Sequence, residues 1–351
     1  MIASDLALAE FLASIAPLET LALDTEADSL HCYFEKLCLI QISVPGADVL
    51  VDPLADLRLA PLFEALAQKQ VVMHGADFDI RMLRRAGQTA TGKVFDTMIA
   101  ARLTGCVEFS LSALITRHFG VTLAKGSQKA NWAMRPLSPT MEEYARNDTR
   151  YLLALADILG ERLAQLGRGA WFDQSCERVV EQAMITRERD LENVWRISGS
   201  FALEPRAAAV LRALWRWRDE EARAVDRPAF HILRNEDLVD AAHRFHRGDR
   251  VAFDHLRGGR AKRFFSAAEE ALRLDESQWP VRPRGTRSRP TPAEERRFFE
   301  LKKKRDHVAG QLGIDPSLIA PKATIEMLAC EREDALSRLM PWQRELLEIG
   351  V

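Results

Sequence analysis

Residues 20–52, TLALDTEADSLHCYFEKLCLIQISVPGADVLVD, decide the fold. Apolar and β-branched residues predict short strands over 20–24, 37–43 and 49–52, and Pro45-Gly46 supplies a turn between the last two. Strands joined by such short loops give the sheet an antiparallel start. The pattern then changes to a helix over 61–67, a strand over 71–74 (VVMH) and a helix over 79–85 ended by Gly87. This alternation predicts an α/β domain, a mixed sheet flanked by helices. Ser138-Pro139 is a helix opening, with Ser as N-cap and Pro at the first helical position, and the helix is expected to run through 141–159 and beyond.

The chain loses its strand pattern after about residue 195. Val210, Leu211, Leu214 and Trp217 recur at helical spacing within 205–224, and shorter helices are expected over 236–245 and 266–274. Residues 279–292, WPVRPRGTRSRPTP, are rich in Pro and Arg and read as a linker. Helices are expected again over 293–312, from Asp315-Pro316, over 324–330 and over 341–347. At 351 residues, two or three domains are expected.

Composition is that of an ordinary soluble globular protein, 47% hydrophobic and 28% charged. The formal net charge of −2 hides an asymmetry. The first half is acidic by about five charges and residues 241–311 are basic by about eight, so one part could hold metal and the other phosphate. Cys32, Cys38, Cys106, Cys176 and Cys330 show no zinc spacing, and their odd number fits a reducing cytoplasm. No basic leader precedes an apolar run and no apolar stretch reaches membrane-spanning length, so a cytoplasmic protein with no membrane partner is expected.

Acidic residues carry the chemistry. Asp24 and Glu26 lie two apart at the end of a predicted strand, which sends both carboxylates to one face. Such a pair is common among solvated loop acids, but Asp24 closes the apolar run Leu21-Ala22-Leu23. Asp79 follows VVMH and a short turn, where a helix N-cap is the bland alternative and Asp77 competes for the acidic role. Tyr144 and Asp148, four apart on one helix, share a face. Converging carboxylates repel one another unless a cation lies between them, so the set implies divalent metal, the machinery of phosphodiester hydrolysis.

The ordered combination says more than its parts. LALDTEADSL, VVMHGADFDIRML and YARNDTRYL resemble the three exonuclease motifs of the DEDD superfamily in its tyrosine-containing branch. LCLIQIS, VDPL, FDTMIAARL and NWAMRPLSPTMEEYA are similar to the ribonuclease D family, over roughly residues 1–190. The stretch 203–271, containing LRALWRWRDEEARAVDRPAFHILRNEDLVDAA, resembles the helical HRDC nucleic-acid-binding domain, and the last sixty residues resemble a second, divergent one. The implied architecture is an RNase H-like DEDD exonuclease domain over 1–190, an HRDC domain over 203–280 and an HRDC-like helical domain over 291–351.

The resemblance also implies roles. Asp24, Glu26 and Asp148 would hold one metal, Asp24 would be shared with a second, and Asp79 would support the second through water. Tyr144 would hydrogen-bond the attacking water. The ions would be two Mg²⁺ or Mn²⁺, the substrate single-stranded 3′ ends of RNA such as tRNA precursors, and the products 5′-nucleoside monophosphates. A monomer is expected. Leu30, His31 and His74 are candidate substrate contacts beside the motifs, and Gln41, Lys125 and Trp132 fit the same family context. The basic runs RGGRAKRFF, with Arg260, Lys262 and Arg263, and LKKKR at 301–305 are candidate phosphate grips. Trp215 and Trp217, two apart, are expected to divide between core and surface.

Two rivals stand beside a 3′→5′ exoribonuclease: a DNA exonuclease of repair, and a catalytically silent RNA-binding scaffold. The absence of a Walker A sequence weighs against NTP-driven work, and the full set of acids weighs against the scaffold.

Overall fold

The computed structural model describes residues 1–124, 126–186, 190–281, 290–332 and 334–349. Lys125 and most of the expected Pro/Arg linker lie outside the described residues.

The sheet has the order β3-β2-β1-β4-β5. Its strands are β1 (Thr20–Ala27), β2 (Leu37–Val44), β3 (Ala47–Val51), β4 (Gln70–Met73) and β5 (Val94–Asp96). β1 is antiparallel to β2 and β2 to β3, with the β2–β3 turn at Gly46, whose φ of +83° suits glycine. β4 and β5 run parallel to β1 and to each other, so the sheet is mixed, as expected. β5 has only three residues, too few for a periodic signal.

Helices α1 (Asp5–Ile15), α2 (Ala60–Ala67), α3 (Asp77–Arg85), α4 (Thr97–Leu103), α5 (Leu111–Phe119), α6 (Pro139–Arg150), α7 (Leu152–Gln165) and α8 (Gly169–Met184) surround it. Alternation along β1 separates the faces. Leu21 and Leu23 join the large core with Ile40, Ile42, Ile80 and Leu83, whereas Ala22 packs with Val72, Leu152 and Ala156. Asp24 and Glu26 follow Ala22 in phase, and so face α6. Ser138 does cap α6, accepting from the Met141 N–H at 3.2 Å. The single long helix expected from residue 141 onward is instead two, α6 and α7, separated at Tyr151.

Ion pairs and hydroxyls pin α6 to the antiparallel edge. Arg150 holds Asp48 at 2.6 Å, Ser43 bonds Asp48 and Thr149 at 2.7 Å each, and Thr149 is the neighbour of Asp148. The segment before α6 is clamped by Arg135, which meets both Asp52 oxygens (2.7 and 2.6 Å) and the Cys38 carbonyl (2.7 Å). Burial pushes the Asp52 carboxyl up, but the hydrogen bonds from Arg135 and the turn N–H groups outweigh it and hold the group below its usual range.

The C-terminal helices α13 (Pro292–Leu312), α14 (Pro316–Ile319), α15 (Lys322–Ala329) and α16 (Pro341–Leu347) form no separate body. The expectation of an independent third domain over 291–351 meets a different arrangement. Ala309, Ile314, Ile325 and Trp342 share one apolar cluster with Ala100, Leu155, Leu159 and Phe172. Trp342 stacks on Trp171 with ring centroids 5.0 Å apart, and the buried Arg168 donates to the carbonyls of Leu103 (2.5 Å) and Leu312 (2.6 Å). Helices this apolar on one side bury it against the nearest apolar surface, and here that surface belongs to the α/β unit.

The second unit is built from α9 (Pro205–Ala224), α10 (Ala229–Ile232), α11 (Asn235–Arg247) and α12 (Gly258–Leu272). Trp215 and Trp217 are both buried, correcting the expectation that one would be exposed. α9 packs against α10, α11 and α12, and the residues it buries, among them Leu211, Leu214, Trp215, Trp217 and Arg218, span an arc wide enough for both. Asp28–Glu35, between β1 and β2 in the chain, belongs to this unit as well. Asp226 accepts the N–H groups of Tyr33 and Phe34 at 3.0 Å each, and the Tyr33 hydroxyl reaches Asp219 at 3.0 Å. Among the described residues no helix is long and apolar enough to cross a membrane.

Candidate active site

β1 outlasts its partner β4: the last β1–β4 pair is Ala22↔Val72, while β1 continues to Ala27. The Thr25 N–H therefore has no β4 carbonyl to meet. Asp79 takes it at 3.0 Å and also accepts the Thr25 hydroxyl at 2.5 Å. Asp79 stands in the first turn of α3, whose N-cap is Ala76, so the capping role does not apply to it. Asp77, the competing acid, is spent on an exposed i,i+4 pair with Arg81 at 2.6 Å. α3 is thus docked onto the end of β1 by a buried carboxylate.

From the opposite side α6 brings Tyr144 and Asp148. Oxygens of Asp24, Glu26 and Asp148 lie within 4.8 Å of one another, and each residue is half-buried. Asp79 is not in this trio, because one of its oxygens serves Thr25. Its charge still reaches the others. Burial, then the charges of Asp79, Asp148 and Glu26, push Asp24 well above the carboxylate range. Burial and the charges of Asp148 and Asp79 raise Glu26 to about 9. Burial raises Asp79 and Asp148 to about 7 each, against the hydrogen bonds from Thr25 and Tyr144 respectively. Tyr144 is hydrogen-bonded to Asp148, and burial plus the three carboxylates around it drive its hydroxyl far above the usual value for tyrosine.

Among the described residues no Lys or Arg pairs with any of the four acids. Three converging carboxylate oxygens without a cationic partner are unfavourable as they stand and become favourable around a hard divalent cation. The donor set, all oxygen and all acidic, fits Mg²⁺- or Mn²⁺-type ions and not a zinc site of nitrogen and sulfur.

The turn from β4 to α3 rests on a residue the motif reading passed over. Asp96 caps α4, accepting from Met98 and Ile99 at 2.8 and 3.3 Å, and also accepts from Gly75 and Ala76 at 3.0 and 2.9 Å. One buried carboxylate thereby satisfies N–H groups of the turn that delivers Asp79 and of the first turn of α4. Its signal was present, since an Asp before TMIAARL is a helix-cap pattern. Asp96→Ala strands four N–H groups and is expected to cost about 3 kcal/mol or more. A urea titration checks this; a midpoint within error of the parent contradicts it.

His74 is part of the same framework. Thr97 donates its hydroxyl to the Met73 carbonyl at 3.0 Å, so the 2.9 Å contact between His74 Nδ1 and Thr97 Oγ1 requires the proton on Nδ1. Burial holds this imidazole below its usual value, hence neutral. The residue proposed as a substrate contact therefore has a structural partner.

Of the other candidates, Leu30, His31, Arg260, Lys262 and Arg263 belong to the helical unit, whereas the run 301–305 and Trp132 belong to the α/β unit. Leu30 is exposed, and the His31 carbonyl accepts from Arg227 at 3.4 Å. Arg260 and Arg263 both pair with the buried Glu221, at 3.2 and 2.5 Å, which consumes part of the expected phosphate grip, while Lys262 stays exposed on the same helix. In the second basic run Arg305 donates to the Ala320 carbonyl and Asp306, Lys302 pairs with Asp306 and Lys304 with Glu348. Trp132 is packing, as its burial and its 6.0 Å ring-to-ring distance from Tyr144 show.

A family model described as 3′-5′ exonuclease matches residues 1–164, and one described as HRDC domain matches 207–247. A ribonuclease D of Xanthomonas oryzae is 32% identical over 344 residues, covering 94% of this chain and 92% of that protein. The chain belongs to the ribonuclease D family. A ribonuclease D of Bartonella henselae is 28% identical, over 91% of this chain and 80% of its own. Two solved structures share the fold along the chain's length. The Escherichia coli RNase D structure has a TM-score of 0.75 at 24% identity, covering 99% of this chain and 96% of that one. A Bifidobacterium adolescentis protein has a TM-score of 0.82 at 23% identity, covering 99% and 94%. The ribonuclease D assignment makes the protein a 3′→5′ exoribonuclease with an exonuclease domain and an HRDC domain, whose acidic cluster lies where β1 meets α6.

Proposed function

We propose that the chain removes nucleotides one at a time from single-stranded 3′ ends of structured RNAs, tRNA precursors among them, through Asp24, Glu26, Asp79, Tyr144 and Asp148 with two Mg²⁺ or Mn²⁺ ions. The observation that carries the reading is the trio of Asp24, Glu26 and Asp148 oxygens within 4.8 Å of one another, with no Lys or Arg partner among the described residues. Asp24, Glu26 and Asp148 would hold one ion, with Asp24 shared, and Asp79 would support the other. When bound, the ions lower the pKa of water and stabilise charge on the leaving 3′-oxygen.

Tyr144 acts by orientation. Its hydroxyl, kept protonated by burial and the neighbouring carboxylates, cannot serve as a base near neutrality and instead positions the attacking water by hydrogen bonding. Tyr144→Phe is expected to lower kcat about 10- to 100-fold while leaving the pH–rate profile between pH 6 and 9 unchanged in shape. Loss of a limb from that profile would make Tyr144 a titrating base after all.

The substrate class is supported by the family, and by the Escherichia coli relative described as an exoribonuclease involved in structured RNA processing. The HRDC unit, taken over 203–280, would add nucleic-acid contacts, with Lys262 the one of its three candidate cations left exposed without a carboxylate partner among the described contacts. The test is a ladder assay on 5′-labelled RNA and DNA strands with free or blocked 3′ ends. RNA shortening from the free 3′ end, abolished by EDTA, supports the reading. Faster loss of DNA moves the protein to repair, and tight RNA binding without cleavage makes it a scaffold.

A further inference from the structure

Gln41 is the cross-strand partner of Asp24, in the register Asp24↔Gln41 between β1 and β2. Directly opposed residues in an antiparallel pair project to the same face with Cβ atoms about 5 Å apart. Gln41 therefore stands beside the Asp24 carboxylate, on the face covered by α6. It is fully buried, and among the described residues neither its Nε2 nor its Oε1 has a hydrogen-bond partner.

Its neighbours along β2 and on β3 offer no free polar partner. Leu39, two residues before it on the same face, packs with Ala145 and Tyr144, and Leu50, opposite it on β3, belongs to the same cluster. Ser43, two residues after it, is already bonded to Asp48 and Thr149. A buried amide without a partner costs about 1–3 kcal/mol, whereas an apolar side chain of the same length would fill this site with no such penalty. Complete burial also rules out contact with RNA. The polar group that the register sets directly opposite it is the Asp24 carboxylate.

We propose that Gln41 is a positioning residue for the metal site: its side-chain amide, unpartnered in the cation-free chain, donates to the Asp24 carboxylate once a cation is bound and holds it in the rotamer that the cation needs. The inference rests on the reading of Asp24 as a metal ligand. Carboxylate ligands are held by such outer hydrogen bonds, whose removal typically weakens metal affinity or activity about 10- to 100-fold.

The experiment compares the parent chain with Gln41→Leu and Gln41→Met, titrating Mn²⁺ and Mg²⁺ by calorimetry and by the rise in Tm. Both variants are expected to bind the cation at least about 10-fold more weakly, with KM for RNA at saturating cation unchanged. In EDTA their Tm should equal or exceed the parent's, because an unpartnered amide has been removed. Parent-like cation affinity in a folded variant overturns the proposal, whatever happens to Tm. Failure of both variants to fold makes Gln41 a packing residue and overturns it equally. If the parent itself binds no cation, it is the metal-ligand reading of Asp24 that fails.

Discussion

Asp24→Asn is expected to reduce exonuclease activity about a thousandfold or more and, in EDTA, to raise the melting temperature. The two effects have one cause. Asp24 is half-buried against three other acids, and its ionised form is disfavoured by loss of solvent and by each of them. A neutral amide removes that repulsion, so the cation-free protein gains about 2–4 °C in Tm for each kcal/mol relieved. The same amide is a poor ligand for a hard cation. Losing several kcal/mol of charge stabilisation at the reacting phosphate corresponds to three decades or more in rate. Paired ladder assays and thermal scans test both halves. A variant that loses activity and also melts lower in EDTA would mean that Asp24 supports the fold and not a repulsive metal site.

The second expectation concerns pH. In the cation-free chain Asp79 and Asp148 titrate near 7 and Glu26 near 9, all raised by burial first and then by neighbouring carboxylates. In the unfolded chain the same groups lose their protons near pH 4. Between about pH 4 and 9 the folded state therefore binds more protons than the unfolded state, and its stability falls as pH rises through that window. A divalent cation needs the ionised carboxylates, so it opposes this loss and binds more tightly as pH rises. Tm measured from pH 5 to 9 in EDTA and in saturating Mn²⁺ should give curves that diverge towards high pH. Curves that stay parallel would mean that the cation binds elsewhere.

Much of the candidate site was legible because short-range rules wrote it. The two-residue spacing of Asp24 and Glu26 sends both to one face of a strand, and Tyr144 and Asp148 share a helix face by their spacing of four. Ser138 and Pro139 marked the start of the helix that carries the latter pair. Asp77 and Asp79 could not be separated by such rules, since both are acids in the first turn of α3. What separates them is that β1 outruns β4 and leaves the Thr25 N–H for a carboxylate to take. The basic runs misled for a related reason: charge is visible in a sequence, but the buried Glu221 that neutralises Arg260 and Arg263 lies some forty residues away.

By itself the sequence determined the strands and helices with strong periodicity, the order of the acidic motifs and the family to which they belong, because each depends on residues close together in the chain or on their order. Tertiary structure decided the rest. It decided that the C-terminal helices complete the α/β unit, since Trp342 finds its stacking partner at Trp171. It assigned the turn before α3 to Asp96 and left Gln41 buried beside Asp24 with its amide unpaired. Burial, strand register and the partner of a charge are set by contacts between residues far apart in the chain, and local sequence patterns do not carry them.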